Sequence, residues 1–170
     1  MRLFSGKVSI IAREICEVLT RNNDIEVTDK EEVILDIEAV LKEYLRLERE
    51  IVERVKDLLE TRKLPYAQFG RLKKQVADER QFGIGEDSIE HICGQIIGSF
   101  MHSVHVEEVF GEDHDLRRKM AIVLRKHMAV DEEVDRETRD KIKNLEEGTR
   151  TWEIEYQKVM EQIKKKRGLT

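Results

Sequence analysis

Apolar residues recur every three or four positions along most of this chain, a spacing that places them on one face of an α-helix. The first such stripe predicts a helix over residues 6–21, followed by the polar segment Asn22-Asn23-Asp24. Its apolar positions are Val8, Ile11, Ala12, Ile15, Val18 and Leu19. The chain is therefore expected to open with an amphipathic helix that buries one face.

The second stripe is the longest and predicts the helix around which the fold is organised. Thr28 and Glu31 have the spacing of a capping box, so the helix should begin there. No glycine or proline interrupts the sequence before Arg62, which predicts a helix about 50 Å long at about 1.5 Å per residue. It carries two adjacent apolar stripes, and these require more than one neighbouring helix.

A proline at position 65 suits the first turn of a third helix. Two glycines in Phe82-Gly83-Ile84-Gly85 then close this part of the chain, and Asp87-Ser88-Ile89-Glu90 opens a fourth helix. Gly94 and Gly98 lie four residues apart inside that helix. Each costs about 1 kcal/mol relative to alanine in a helix interior, so their spacing predicts the close approach of another backbone.

A second long helix is expected over residues 115–147, again with a charge-rich distal part. Gly148 should end it. Apolar residues nevertheless continue at helical spacing beyond this glycine, so one continuous helix is the alternative. The positions that continue it are Trp152, Tyr156, Val159 and Ile163. The final helix is expected to end in the basic segment of residues 164–168.

The order of these elements repeats. Residues 11–19 match residues 92–100, and residues 40–51 return in weaker form as residues 123–134. We therefore predict an all-α, elongated six-helix protein built from two similar three-helix units, residues 1–85 and residues 86–170. Each unit has a long central helix in a coiled-coil-like hairpin, and the two units either stand apart or pack as one body.

Composition supports the helical prediction and limits the functional classes. Charged residues make up 39% of the 170 residues, aromatic residues 5%, and there is one proline, which is typical of long solvated helices. The net charge of −5 argues against a basic nucleic-acid-binding domain. We expect a cytoplasmic protein, because no apolar run resembles a secretion signal or a membrane span. Cys16 and Cys93 fall on apolar helical faces, where a free thiol behaves as a small hydrophobe.

Three stretches of the sequence resemble a known family. They are Met1-Arg2-Leu3 with Lys7-Val8, the acidic motif of residues 41–51, and residues 66–80 followed by Phe82-Gly83-Ile84. On these residues the chain is similar to the bacterial domain-of-unknown-function family 507, short proteins of about one three-helix unit. The resemblance implies two tandem, diverged copies of that unit. It brings no established activity to transfer.

Two basic runs give the alternative functional hypothesis, which is nucleic-acid binding. They are Arg71, Lys73 and Lys74 in one unit and Lys164, Lys165, Lys166 and Arg167 in the other. We expect each run to end the third helix of its unit. If a pseudo-two-fold axis relates the two units, the two basic runs could contact phosphates from both sides. The helix macrodipole favours cations in the last turn of any helix, which explains the runs without a ligand.

All five histidines lie in the second half, and they give a third hypothesis, a metal site. The candidate ligands are His102, His105, Glu108 and His114, with Glu107 and Asp113 nearby. Such nitrogen and oxygen ligands suit zinc, manganese or iron. No recognised spacing such as His-Glu-x-x-His is present, and histidines at solvated helix ends are common. A surface position is therefore the preferred interpretation.

The sequence contains no glycine-rich phosphate loop, nucleophile elbow or Cys/His pairing. Its carboxylate-rich runs look solvated, whereas a general acid or base needs a cleft that perturbs its pKa. We therefore predict a protein that is not an enzyme and uses no cofactor. The leading hypothesis is a cytoplasmic interaction or scaffold module that holds a protein partner on exposed helix faces or hairpin tips. The sequence does not identify that partner or the oligomeric state.

Overall fold

The amphipathic stripes form helices along most of the chain, and the computed structural model describes residues 2–170. The helices are α1 (Val8–Arg21), α2 (Lys30–Thr61), α3 (Phe69–Glu79), α4 (Ser88–His102), α5 (Asp113–Met128), α6 (Val130–Lys141) and α7 (Arg150–Lys166). The all-α class is confirmed, and six helices are present when α5 and α6, separated only by Ala129, are counted as one. Within residues 2–170, no helix combines the length and apolar character needed to cross a bilayer.

Helix α2 has 32 residues, which at about 1.5 Å per residue gives a length of about 48 Å. Its cap differs from the prediction, because Asp29 rather than Thr28 occupies that position. The Asp29 carboxylate accepts a hydrogen bond from the Glu32 amide at 3.3 Å. Thr28 cannot serve as the cap because it is held in an extended segment, where its amide donates to the His105 carbonyl at 2.9 Å.

The second long helix is interrupted and ends earlier than expected. It begins at Asp113, is interrupted at Ala129 and ends at Lys141. At the interruption, the Glu132 amide donates to the Ala129 carbonyl at 3.3 Å, a bond of the tighter 3-10 type. Gly148 has a φ of 87°, a backbone conformation that favours glycine, so α7 is a separate helix.

A two-stranded ribbon that the sequence analysis missed joins the two halves. Strand β1 (Ile25–Val27) pairs antiparallel with β2 (Val106–Val109). The Phe110 amide extends the pairing by donating to the Asp24 carbonyl at 2.8 Å. The buried Asp24 carboxylate also accepts from Lys119 Nζ at 2.6 Å. The ribbon therefore ties the loop after α1 to the loop after α4.

The main core contains apolar side chains from both halves of the chain. Helix α1 packs on α2 and α5, and α4 packs on α5 and α2. A smaller apolar cluster joins α6 and α7 to the first and last described residues. Its buried members are Phe4, Val134, Met160, Ile163 and Leu169. The two ends of the described chain also meet through the backbone, where the Gly6 amide donates to the Leu169 carbonyl at 2.8 Å.

The backbone approach predicted at Gly94 and Gly98 is wrong. A Cβ atom at Gly98 would have no neighbour within 4 Å, and at Gly94 its nearest neighbour would be the Arg117 guanidinium at 3.5 Å. Two glycines four residues apart indicate close packing only where another backbone reaches their shared face, and here the nearest neighbour is a side chain, Arg117 of α5. A close approach occurs instead at Gly83, where a Cβ would lie 2.5 Å from the Asp87 carbonyl oxygen.

Candidate interaction groove

Helices α2 and α4 pack side by side and leave an open groove of about 430 Å³. Its apolar lining comes from Ala39, Val40, Leu47 and Ile92. Its polar lining comes from Asp36, Glu43, Tyr44, His91, Gln95, Ser99, His102 and Ser103. An apolar lining with a small number of polar groups is the usual composition of a ligand or peptide site. This α2–α4 groove is therefore the leading candidate for a binding site.

Tyr44 fixes one end of the α2–α4 groove. Its hydroxyl donates to the Gly83 carbonyl at 3.0 Å, and its ring stacks on Phe82 with the centroids 4.7 Å apart. The His91 ring lies tilted against both, 4.8 Å from the Phe82 centroid and 6.0 Å from the Tyr44 centroid. Burial raises the pKa of the Tyr44 hydroxyl, which therefore remains a donor. Three packed rings make this end of the groove rigid.

His91 has a defined protonation state at this end. The Gly83 amide donates to its Nδ1 at 3.2 Å, so Nδ1 is the acceptor and Nε2 carries the proton of the neutral ring. Burial lowers the pKa of His91 and keeps the ring neutral at pH 7. The groove lining therefore includes a neutral imidazole with one N–H donor.

Ser103 and Asp36 link the two helices at the other end. The Ser103 hydroxyl donates to the Asp36 carboxylate at 2.6 Å and accepts from the His105 amide at 3.2 Å. Within residues 2–170, no imidazole bonds to this hydroxyl. A serine nucleophile needs an adjacent base, so the arrangement is that of a helix-end link.

Helices α1 and α5 form a second seam, and this one is closed by side chains. One Glu14 oxygen accepts from Lys126 Nζ at 2.8 Å, and the other lies 2.6 Å from His127 Nε2. The hydrogen bonds from His127 and Lys126 hold the pKa of Glu14 below its ordinary value. Across the α2–α4 seam, Ser103 donates to Asp36 at one end, and the Tyr44 hydroxyl meets the Ser88 side chain at the other. The two seams therefore differ in what joins their helices.

The first basic run is not where the sequence analysis placed it. Arg71, Lys73 and Lys74 lie in the first two turns of α3 rather than in its last turn, which contains no basic residue. The macrodipole makes the beginning of a helix positive, so it does not explain cations there. None of the three side chains pairs with a carboxylate of the described chain.

The second basic run does end its helix, but it is largely used within the fold. Lys164 is only 3% exposed, and its ammonium lies 5.7 Å from the centroid of the Phe4 ring. Burial lowers the pKa of Lys164. Arg167 donates to Glu133 at 3.1 Å and to Glu137 at 2.7 Å. Only Lys165 and Lys166 are exposed without a carboxylate partner in the described chain.

The histidine candidates for a metal site are dispersed. His102 lines the α2–α4 groove, and the His105 carbonyl is bonded to Thr28 beside the ribbon. Glu108 lies opposite Glu26 in the ribbon, and His114 is in the first turn of α5. Within residues 2–170, no three His, Cys, Asp or Glu side chains are placed to hold a metal ion together. The four candidates therefore do not converge on one site.

Both cysteines are buried and free. Burial raises the pKa of Cys93 to about 12 and also raises the pKa of Cys16. Thiols with raised pKa values carry little thiolate at pH 7, and thiolate is the reactive form. The thiols are therefore part of the hydrophobic core, as their positions in the sequence indicate.

The residues that line the α2–α4 groove were not selected by sequence reasoning, apart from His102. Asp36, Gln95 and Ser103 are single polar residues beside apolar stripes, which is common on any amphipathic helix. They meet only because α4 docks on α2, which brings together residues as far apart in sequence as Asp36 and Ser103, 67 positions apart. No local sequence pattern predicts that α4 packs on α2 in this way.

Comparison with known proteins places the whole chain in one family. The family model described as "Protein of unknown function (DUF507)" matches residues 1–169. The match is a single one that spans both halves and does not divide the chain into two copies. No curated protein matches the chain.

Proposed function

We propose that this chain, which belongs to the DUF507 family, is a protein-interaction module that holds an apolar segment of a partner protein in the α2–α4 groove. The observation that carries this proposal is the difference between the two seams. Glu14 closes the α1–α5 seam with Lys126 and His127, whereas the α2–α4 seam contains a cavity of about 430 Å³. An open groove with an apolar lining offers surface that a partner can bury.

The occupant that this groove fits best is an amphipathic helix of the partner. The groove follows two packed helices, and such grooves receive side chains spaced three, four and seven residues apart. Val40 and Leu47 are seven residues apart on α2 and offer apolar contacts along its length. Asp36 accepts only a neutral hydroxyl, from Ser103, among the described residues, so a lysine or arginine of the partner can pair with it.

The chain is further proposed to contain two diverged copies of one three-helix unit. The pattern of helix contacts supports this, because α1 packs on α2 as α4 packs on α5, and α1 packs on α5 as α4 packs on α2. Helix α3 likewise packs on α2 as α7 packs on α6, and β1 pairs with β2. In this alignment Tyr44 corresponds to His127 and Ala39 to Ile122. The groove and the closed seam are then equivalent sites that have diverged.

The module is proposed to act without catalysis or a cofactor in the bacterial cytoplasm. This part rests on the missing catalytic motifs in the sequence and on two free, buried cysteines, which suit a reducing compartment. The bonding of Ser103 and His91 within the fold supports it, because neither arrangement contains a nucleophile held by a base.

Affinity capture with two matched variants tests the proposed function. Ala39→Trp fills the groove, and Ile122→Trp adds an indole at the corresponding position of the closed seam, where Ile122 is already 58% exposed. From nuclease-treated extract, the wild type and Ile122→Trp should retain a protein partner, and Ala39→Trp should lose it by about tenfold or more.

Two outcomes would contradict the proposal. Equal recovery of the partner by both variants would exclude the groove as the binding site. Recovery of nucleic acid alone, lost on nuclease treatment, would refute a protein-interaction function.

A further inference from the structure

The turn between α2 and α3 has a charge unlike the rest of the chain. Residues 61–77 contain five cations and no carboxylate, although the chain as a whole has 36 acidic and 31 basic residues. The cations are Arg62, Lys63, Arg71, Lys73 and Lys74. Such a local concentration of one sign, inside a chain of net charge −5, creates a positive patch that attracts anions.

The fold brings these five cations to both sides of one turn. Helix α2 ends at Thr61, Lys63 takes a φ of 51°, and α3 begins at Phe69 after a short 3-10 turn. Four of the cations are exposed, and Lys73 is half-buried. None has a carboxylate partner among residues 2–170. Their charges are therefore available to a ligand.

An aromatic pair with one exposed ring lies beside the same turn. The Tyr66 and Phe69 rings stack with centroids 5.2 Å apart and planes 20° from parallel. Tyr66 is 54% exposed, so one ring of the pair is open to further stacking. A planar aromatic surface between cations is the arrangement with which proteins bind single-stranded nucleic acid, stacking on bases and pairing with phosphates.

The placement of charge on α3 does not serve the stability of this helix. Its cations lie near the positive end of the macrodipole, and Asp78 and Glu79 lie near the negative end. The usual distribution is the reverse, so the arrangement is unfavourable for the isolated helix. A role in binding an anion explains why cations are located there.

A similar aromatic pair lies at the start of α7, but its side chains interact with other residues of the fold. Trp152 and Tyr156 stack with centroids 5.0 Å apart, but the Arg139 guanidinium lies 5.3 Å from the Trp152 centroid. The Tyr156 hydroxyl also donates to Asp135. The nearby sequence mixes the signs of charge, with Lys143, Arg150 and Lys158 beside Glu146, Glu147, Glu153 and Glu155. This pair is therefore engaged within the fold and lacks the carboxylate-free surroundings of the α2–α3 turn.

We propose that the α2–α3 turn binds single-stranded nucleic acid, with a base stacked on Tyr66 and phosphates contacted by the five cations. An anionic membrane is a weaker fit, because Leu64, the aliphatic residue of the turn, packs against the core and is not free to insert. The site is on a different surface from the α2–α4 groove and does not depend on the function proposed for that groove.

Fluorescence polarisation with the full chain tests the proposal. The probe is a labelled oligouridylate of about 20 nucleotides, longer than the about 4–16 nucleotides that a compact binding surface covers. Five phosphate contacts predict that log K falls with log salt with a slope of about −3.5, which is about −0.7 for each contact. Phosphatidylserine vesicles and a duplex of the same length serve as competing ligands.

Three variants separate the parts of the site. Arg71→Gln/Lys74→Gln should make the salt slope shallower by about 1.4, because two phosphate contacts are lost. Tyr66→Ala should weaken binding by about 5- to 150-fold with little change in slope, because it removes stacking and no charge. Lys165→Gln/Lys166→Gln removes two exposed, unpaired lysines of α7 and should leave binding unchanged.

Several outcomes would overturn the proposal. They are no binding at low salt, an equal loss in the α7 control, and no effect of Tyr66→Ala. A preference for the duplex or for the vesicles over the oligouridylate would also overturn it. All substituted side chains are exposed, and circular dichroism confirms that each variant remains folded.

Discussion

Under the duplication proposed above, the α1–α5 seam and the α2–α4 groove are built from equivalent pairs of helices, yet one is closed and the other is open. In the closed seam, Glu14 bonds to both Lys126 and His127. In the groove, Tyr44 takes the place of His127 and turns to Phe82 and Gly83 instead. The two pairs of helices therefore differ in the side chains that join them, and the α2–α4 pair leaves a groove of about 430 Å³.

The helix surfaces beside the two seams also differ in the ion pairs that they form. On α1, Arg13 donates to Glu31 of α2 at 3.1 Å, and Glu17 lies 3.8 Å from Lys30. Under the same proposal, the equivalent positions on α4 are Gly94 and Gly98, which carry no side chain to make such links. Helix α4 is linked to α5 at another position, where Arg117 donates to the Glu90 carbonyl at 3.3 Å and pairs with the Glu90 carboxylate. A Cβ atom at Gly98 would have no neighbour within 4 Å, so this part of α4 leaves surface uncovered. Charged side chains therefore join α1 to α5, and the α2–α4 groove is the surface proposed to bind a partner.

Substitution of Tyr44, which packs at one end of the α2–α4 groove, should cause the largest fall in the free energy of unfolding. Tyr44→Ala removes a buried ring that stacks on Phe82, and we expect the free energy of unfolding to fall by about 3–5 kcal/mol. Tyr44→Phe removes only the hydroxyl bonded to Gly83 and should cost about 1 kcal/mol. Urea denaturation measures both. Equal losses would show that the hydroxyl, and not ring packing, fixes this end.

A smaller loss of stability is expected when Glu14, which links α1 to α5, is substituted. Glu14→Gln should lower the free energy of unfolding by about 1–2 kcal/mol near pH 7, because it removes charge-assisted bonds at a site that is 31% exposed. The folded pKa of Glu14 lies below its ordinary value of 4.5. The carboxylate therefore stabilises the fold fully above about pH 4.5, and this contribution is lost as the pH falls through the lower folded pKa.

Denaturation of the wild type and the Glu14→Gln variant across a pH series measures this dependence. Glu17→Gln is the matched control, because its exposed pair with Lys30 should contribute less than about 0.5 kcal/mol. A difference between wild type and Glu14→Gln that stays constant down to about pH 2 would contradict the role given to the carboxylate. So would an equally large effect in the control.

The smallest change in the free energy of unfolding is expected from a substitution at Gly98, on the uncovered face of α4. Gly98→Ala should raise the free energy of unfolding by about 0.5–1 kcal/mol, because alanine is the better helix former and the added methyl meets no atom within 4 Å. Gly83→Ala should instead destabilise, since its Cβ would lie 2.5 Å from the Asp87 carbonyl oxygen. Thermal denaturation distinguishes them, and a destabilised Gly98→Ala variant would mean that α4 is packed more closely than described.

The helices were predictable because their stabilising pattern is local. Ile11, Ile15 and Leu19 recur on one face, and that face is fully buried. The β1–β2 ribbon was not predictable, because Ile25 and Val109 pair across more than 80 residues and each strand is too short to show a period. The cap was misassigned to Thr28 for the same reason, since the bond that holds its amide comes from His105 in the distant loop.

The candidate site was less accessible to sequence reasoning than the fold. The basic run at Arg71, Lys73 and Lys74 was visible as charge, but its position at the start of α3 depends on the 3-10 turn before Phe69. The equally basic run after Ile163 gave the same signal, although Lys164 is buried against Phe4. Charge in a sequence does not reveal which lysines the fold has already used.

Photocrosslinking in living cells distinguishes the groove from the closed seam as the site that receives a protein partner. A compact diazirine-bearing amino acid is placed at position 39 in one strain and at position 122 in another, which are equivalent positions under the proposed duplication. We predict a discrete protein adduct from position 39 and none from position 122. An adduct from position 122 alone, or equal adducts from both positions, would contradict it.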